Sequence, residues 1–391
     1  MHIAQGVSFP SPSRRGFLQL IAHPFERRLT CGWAIGTRRH ASSPSSPSRV
    51  IFSGIQPTGI PHLGNYVGAL QQWVKIQDGA TSATDLLFSI VDLHAMTLPY
   101  DQARLRLQKR QTLAALLAVG LDPQRSTIFF QSAVPAHTEL MWILSCTASV
   151  GYLSRMTQWK SKLAMSDNVA LSDPDTKAKL KLGLFSYPVL QSADILLYRA
   201  THVPVGHDQV QHLEFARENA KNFNTAHGHF FPEPQTVMSP VKRIMSLKDP
   251  RVKMSKSHED MKSRILLNDT PDSIRVKVKA ALTDSIDGLS YDPIGRPGVS
   301  NLLALMSYLD TSHRSVVQIT AECQGLSMRA FKDEVAKTLI KGLTDLRERY
   351  DYFMSAAQSQ YLQEVVTAGN EKAASKADET MMLVRRMIGV D

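Results

Sequence analysis

Cysteine is nearly absent from this chain: Cys31, Cys146 and Cys323 are the only three among 391 residues. None forms a CxxC pair, which argues against a zinc ribbon or a disulfide framework and suits a reducing compartment. No metal-ligating motif is legible, and a resident metal is not expected. The first fifty residues carry no apolar run long enough for a secretory signal or a membrane span, so a membrane is not an expected partner. Internal repeats are missing, and no low-complexity tract follows Ser48.

Acids and lysines are the next scarcity. Residues 1–50 hold seven arginines, no lysine and one acid, Glu26, and become rich in Ser and Pro between Ser42 and Ser48. An Arg-rich, Ser-rich, acid-poor start resembles a mitochondrial transit peptide, and Arg14 to Ile21 can form a short helix with basic and apolar sides. A basic arm that binds RNA is the other reading, disfavoured by the absence of lysine. Residues 1–49 are therefore set aside as a targeting segment for the mitochondrial matrix. Residues 1–50 contribute +6 of the formal net charge of +10, and the remaining +4 permits RNA binding without demonstrating it.

The rest of the chain exceeds what one core supports, so two domains are expected, over 50–269 and 270–391. Strand-like runs at Val50 to Phe52, Leu86 to Val91 and Thr127 to Gln131 alternate with helical patterns, one capped by Asp101 and stopped at Gly120. That alternation implies parallel βαβ units, an α/β doubly wound, Rossmann-like sheet whose ligands sit at the carboxyl ends of its strands. From about Thr270 the pattern is helix after helix. Met328 to Met354 and Glu371 to Gly389 place apolar residues at helical spacing, and the stripe with Met381, Met382 and Met387 is core packing. The last helices are expected to fold back on the first domain.

Two segments about 190 residues apart carry the chemistry. Pro61-His62-Leu63-Gly64-Asn65 follows an apolar strand and a Ser53-Gly54 break, a phosphate-binding context in which glycines let backbone approach a nucleotide. His62 and Asn65 can offer neutral donors to a triphosphate. Lys253-Met254-Ser255-Lys256-Ser257 supplies two ammonium groups three residues apart, suited to the charge on departing pyrophosphate. Alone, each segment is more often ordinary loop chemistry than a functional site.

Together these segments resemble the paired signatures of a class I aminoacyl-tRNA synthetase. The flanks Ser53 to Gly59, Gly64 to Ala69, Val134 to His137, Arg155 to Gln158, Tyr187 to Tyr198 and Val203 to His212 are similar to the tryptophanyl-tRNA synthetase family in particular, of the mitochondrial type. That resemblance runs from Ile51 to the end and weakens after Pro297-Gly298.

The resemblance implies ligation of L-tryptophan to tRNA(Trp) through an adenylate made from ATP, with Mg²⁺ carried by the nucleotide. It implies Gln56, Pro57, Thr58, His62, Gly64 and Asn65 around the phosphates and Gly206, His207 and Asp208 around the ribose. It places Ile244 against adenine and Lys253, Met254, Ser255, Lys256 and Ser257 in the catalytic loop; His62, Asn65, Lys253 and Lys256 do the catalytic work. For tryptophan it implies Asp194 reading the indole N–H, Tyr187 and Gln209 holding the α-amino group, and Phe52 and His94 as walls. It also implies a homodimer and an anticodon gripped by the helical domain. His207 stands where the family usually has an acid, which leaves Asp208 as the preferred ribose ligand. His258-Glu259-Asp260 departs from the acid and proline expected there.

Residue chemistry leaves other readings open. Asp194 in an apolar helix is costly unless paired, and an internal salt bridge would satisfy it as well as an indole. Phe52 and Tyr187 also read as core aromatics, His94 as a turn histidine, and Lys160 and Lys162 as either phosphate contacts or a solvated face. Tyrosyl-tRNA synthetase, a small-molecule adenylyltransferase and a retired synthetase that binds RNA are the competing functions. The flanking motifs, the helical domain and the retained lysines count against them in turn.

Overall fold

The computed structural model describes residues 49–163, 165–166, 170–238, 243–256 and 258–391. The proposed targeting segment, apart from Arg49, and Ser257 of the lysine loop lie outside them, as does the side chain of His207. Five parallel strands form one sheet in the order β3-β2-β1-β4-β5: β1 Arg49–Ile55, β2 Thr84–Ile90, β3 Thr127–Phe130, β4 His202–Val205 and β5 Gln235–Met238. β1 and β2 are near-continuous apolar runs because both of their faces are covered. Ile51 points into a core with Trp73, Leu113 and Leu116, whereas Val50 and Phe52 point into a second core with Leu140, Leu184 and Phe215.

The sheet is least continuous where the chain order reverses. β1 pairs with β2 along seven positions but with β4 at Ile51–His202 only. Pro204 has no N–H to give the ladder. Its carbonyl instead accepts the Ser53 hydroxyl at 2.9 Å, across the carboxyl ends of β1 and β4. That gap is the topological switch point, where ligands of open α/β sheets bind. β4 and β5 have four residues each and escape periodicity reasoning.

Helix 102–118 begins where Asp101 Oδ1 accepts the Arg104 N–H at 2.7 Å, and its exit passes through Gly120 at φ +109°. After β1 the chain makes one helical turn, Leu63–Asn65, and a wider π turn, Tyr66–Leu70, before helix Gln71–Asp78. Such π turns cluster at functional sites.

Beyond Thr270, which caps Pro271–Lys279, the described residues form helices and no strand. The final helix, Ser359–Ile388, crosses the exposed edge of β3: Leu362 and Val366 enter the first core, Ala373, Ala377 and Met381 the second. At the crossing a Cβ on Gly369 would overlap the Ile128 carbonyl oxygen, and Asn370 Oδ1 accepts the Phe130 N–H at 3.0 Å. An edge strand that would otherwise present unpaired backbone is thereby covered. Lys376 pairs with Asp85 and Arg385 with Glu139 at 2.6 Å, so Arg385 joins two helices.

Candidate active site

A cavity of about 420 Å³ opens at the carboxyl ends of β1 and β4. Phe52, Gln56, Asn65, His94, Tyr187, Asp194, Gly206, Asp208 and Gln209 all line it. Residues separated by more than 150 positions meet there because two strands of one sheet end side by side.

The deep end is made by helix 182–196. Tyr187, Gln191 and Asp194 fall on one helical face and all three line the cavity. Asp194 is 1% exposed. Burial alone would raise its pKa; the charges and hydrogen bonds of His137 and His94 overcome that and hold the carboxyl below the usual range. The family resemblance implies an indole as the partner of this acid, while residue chemistry left an internal partner open; the protein itself supplies donors, His94 Nε2 at 2.8 Å, Gln131 Nε2 at 2.7 Å and His137 Nδ1 at 2.7 Å. His94 thus both lines the cavity and bonds Asp194. Tyr187 Oη bonds His212 Nε2 at 2.8 Å, and burial, then Asp208, raises the phenol's pKa, so it stays a neutral donor. Phe52 stacks on Tyr198 with ring centroids 5.7 Å apart.

Gln131 and His137 are functional candidates that sequence reasoning did not assign. His137 appears in the Val134 to His137 motif, but its partnership with Asp194 spans 57 positions and leaves no local trace.

The mouth is built from loops. His62 caps its helical turn: Nδ1 accepts the Asn65 N–H at 3.2 Å while Asn65 Oδ1 accepts the His62 N–H at 3.2 Å. Burial, then the positive charges of Lys256, Lys253 and Arg264, lowers the His62 pKa to about 3. The ring is therefore neutral, and with Nδ1 accepting, its proton sits on Nε2. Gly64 is required beside it, since a Cβ there would lie 2.9 Å from the His62 ring and 3.7 Å from Ile244.

The lysine loop bridges both sides of the mouth. Lys256 donates to Thr58 Oγ1 at 3.0 Å and to the Gly59 carbonyl at 2.9 Å, on the turn that follows Pro57. Burial, then Arg264, lowers its pKa to about 7. Lys253 pairs with Asp208 at 3.4 Å, and Asp208 Oδ2 accepts from Gln209 Nε2 at 3.0 Å. Met254 is buried, its N–H bonded to the Ile244 carbonyl at 3.0 Å, and Ser255 follows it partly covered. Asn301 of the helical region holds Met245 by both its N–H and its carbonyl, at 3.1 and 3.0 Å. Lys162 also lines the cavity, its Nζ 4.4 Å from the Tyr187 ring centroid. Buried donors gather around Asp194, while Lys162 lies over Tyr187 and Lys253 and Lys256 lie on the loops.

Known proteins resemble this chain in sequence and fold. The family model described as tRNA synthetases class I (W and Y) matches residues 45–344. The mitochondrial tryptophan–tRNA ligase of Schizosaccharomyces pombe is 42% identical over 352 residues, covering 88% of this chain and 96% of that protein. That of Saccharomyces cerevisiae is 43% identical over 347 residues, covering 87% and 90%. The crystal structure of tryptophanyl-tRNA synthetase from Campylobacter jejuni, complexed with ADP and tryptophan, superposes with a TM-score of 0.71 at 31% identity, over 87% of this chain and 99% of that one. The chain belongs to the class I tRNA synthetases of the tryptophan and tyrosine type.

Proposed function

We propose that this chain ligates L-tryptophan to tRNA(Trp), using ATP to make tryptophanyl-adenylate and releasing AMP and pyrophosphate, for translation in the mitochondrial matrix. The observation that carries the substrate is Asp194, a buried carboxylate held below its usual pKa in a cavity also lined by Asp208, the partner of Lys253. An ionised carboxylate only accepts hydrogen bonds, and an indole offers one N–H to give. The relatives named mitochondrial, and the acid-poor, Arg-rich residues 1–49, support the address.

In this reading Asp194 takes the indole N–H, Tyr187 and Gln209 the α-amino group, and Phe52 and His94 the flanks of the ring. Gln56, Pro57, Thr58, Gly64 and Asn65 lie under the triphosphate, Gly206, His207 and Asp208 along the ribose, and Ile244 against adenine. A carboxylate oxygen of tryptophan attacks the α-phosphorus in line, and the bond to pyrophosphate breaks; no protein nucleophile intervenes. His62, Asn65, Lys253 and Lys256 stabilise the departing charge, with Met254, Ser255 and Ser257 as further ATP-binding residues. Mg²⁺ carried by ATP would neutralise part of the triphosphate charge.

Residues 50–269 make the adenylate and 270–391 hold the anticodon. A homodimer is the assembly proposed. Trp142, 73% exposed, and Leu182, 78% exposed, lie on two helices packed together and support an apolar contact between copies.

ATP–pyrophosphate exchange by the chain lacking residues 1–49, with each of the twenty amino acids offered separately, tests the reading. Exchange with tryptophan alone is expected. Exchange with tyrosine moves the chain to the sister activity, and exchange with none leaves an RNA-binding protein.

A further inference from the structure

A carboxylate oxygen has two lone pairs in its plane. Among the described residues, Asp194 Oδ1 receives two donors, Gln131 Nε2 and His137 Nδ1, both at 2.7 Å, while Oδ2 receives only His94 Nε2 at 2.8 Å. Asp194 and His94 line the cavity, whereas Gln131 and His137 do not. The filled oxygen is therefore held from behind, and the vacant acceptor position belongs to the oxygen shared with a cavity residue.

Both rear donors are themselves oriented. Gln131 Oε1 accepts the Leu93 N–H at 3.1 Å, which turns its amide nitrogen toward Asp194. His137 is fully buried, its ring stacked on Phe129 at 6.0 Å between centroids. Its Nε2 lies 3.0 Å from the Tyr198 hydroxyl. That contact fixes the ring plane with the Nδ1–H directed at Asp194.

We propose that His137, oriented by Tyr198, is a specificity-determining positioning residue: it saturates Asp194 Oδ1 so that Oδ2 alone meets the substrate's ring N–H. The inference rests on the tryptophan reading above. A carboxylate fixed in this way presents one acceptor at one angle, so an amino acid of similar shape without a ring N–H leaves that acceptor unpaired in a dry pocket. Without His137 the carboxylate is free to turn and to be satisfied by water, and the distinction weakens. Nothing in this role touches ATP.

The test is ATP–pyrophosphate exchange by the full chain with tryptophan and with its benzothiophene analogue, in which sulfur replaces the ring N–H. For His137→Leu, the KM for tryptophan is expected to rise roughly ten- to hundredfold, the worth of a hydrogen bond to a charged group. The preference over the analogue should shrink to match, and the KM for ATP should hold. Tyr198→Phe, which keeps the ring but not the proton, should lose a few-fold of the preference, and His137→Asn, which keeps a donor near Nδ1, should recover part of it. A folded His137→Leu protein with the preference intact, or with its loss confined to kcat for both amino acids, overturns the proposal. If that variant does not fold, His137→Asn and Tyr198→Phe decide it, and wild-type preference in both overturns it. Failure of the wild type to exchange with tryptophan defeats the tryptophan reading itself, and with it this proposal; success there with an indifferent His137 defeats the positioning role alone.

Discussion

The two ends of the cavity are held by different means. At the deep end, Asp194, His94 and His137 are buried and both histidines bond Asp194 within 3 Å, on or beside helices and strand ends. At the mouth, Lys253 and Asp208 are both substantially exposed and meet at 3.4 Å, a pairing worth ~0–1 kcal/mol. Lys256 rests on loop carbonyls. Removing a partner from the buried cluster leaves a desolvated charge unpaired, which costs several-fold more. The deep end is thus built to keep one geometry and reject what does not fit. The mouth can exchange its contacts for phosphate oxygens at small cost, as a group that must follow charge onto a leaving pyrophosphate requires.

Lys256→Ala is the sharpest way to separate the ends and carries the largest expected effect. Loss of one preorganised cation at the developing charge should lower kcat for pyrophosphate exchange by roughly 10²–10³-fold, while tryptophan binding, followed by equilibrium dialysis, stays within a few-fold. A mutant that instead lost tryptophan affinity and kept its exchange rate would show that the two ends are not independent. Asp194→Asn should do the reverse: the KM for tryptophan should rise by roughly a hundredfold, from loss of a charged acceptor, with the KM for ATP unchanged. Equal damage to both substrates would mean that Asp194 acts through the fold rather than at the ring.

This contrast also sets what could be read from the sequence. The mouth is local chemistry. Pro61 to Asn65 makes its own cap, and the expectation that His62 and Asn65 act as neutral donors needs only that short segment and the strand before it. Asp101 and Gly120 mark their helix in the same local way. The deep end is long-range. Gln131 and His137 reach Asp194 across 63 and 57 positions, and an acid in an apolar helix announces that it needs a partner without saying which. The gap between β1 and β4 follows from Pro204, but only once the two strands are known to be neighbours. The crossing of Gly369 over Ile128 is invisible for the same reason. Turn chemistry is written in adjacent residues; pairing across a sheet is written in the packing.

The smallest effect separates the two catalytic-loop neighbours by pH. Burial, then Arg264, brings Lys256 down to about 7, so its ammonium is fully charged below that pH and is lost as pH rises through it. The unfolded chain keeps its lysine protonated to about 10.4. Between pH 7 and 10 it therefore binds more protons at this position than the folded chain, and Lys256 makes folding more favourable as pH rises, the opposite of a paired lysine. For the free enzyme the consequence is an ATP affinity that weakens by a few-fold between pH 6.5 and 8.5. His62, lowered to about 3, is uncharged throughout that window and adds no slope. Lys256→Arg, which cannot deprotonate there, should flatten the profile of ATP Kd against pH while the slope due to the nucleotide's own ionisation remains. If wild type and Lys256→Arg give superimposable profiles, Lys256 keeps its charge across this window, and the mouth has no partly covered cation to set against the buried anion of the deep end.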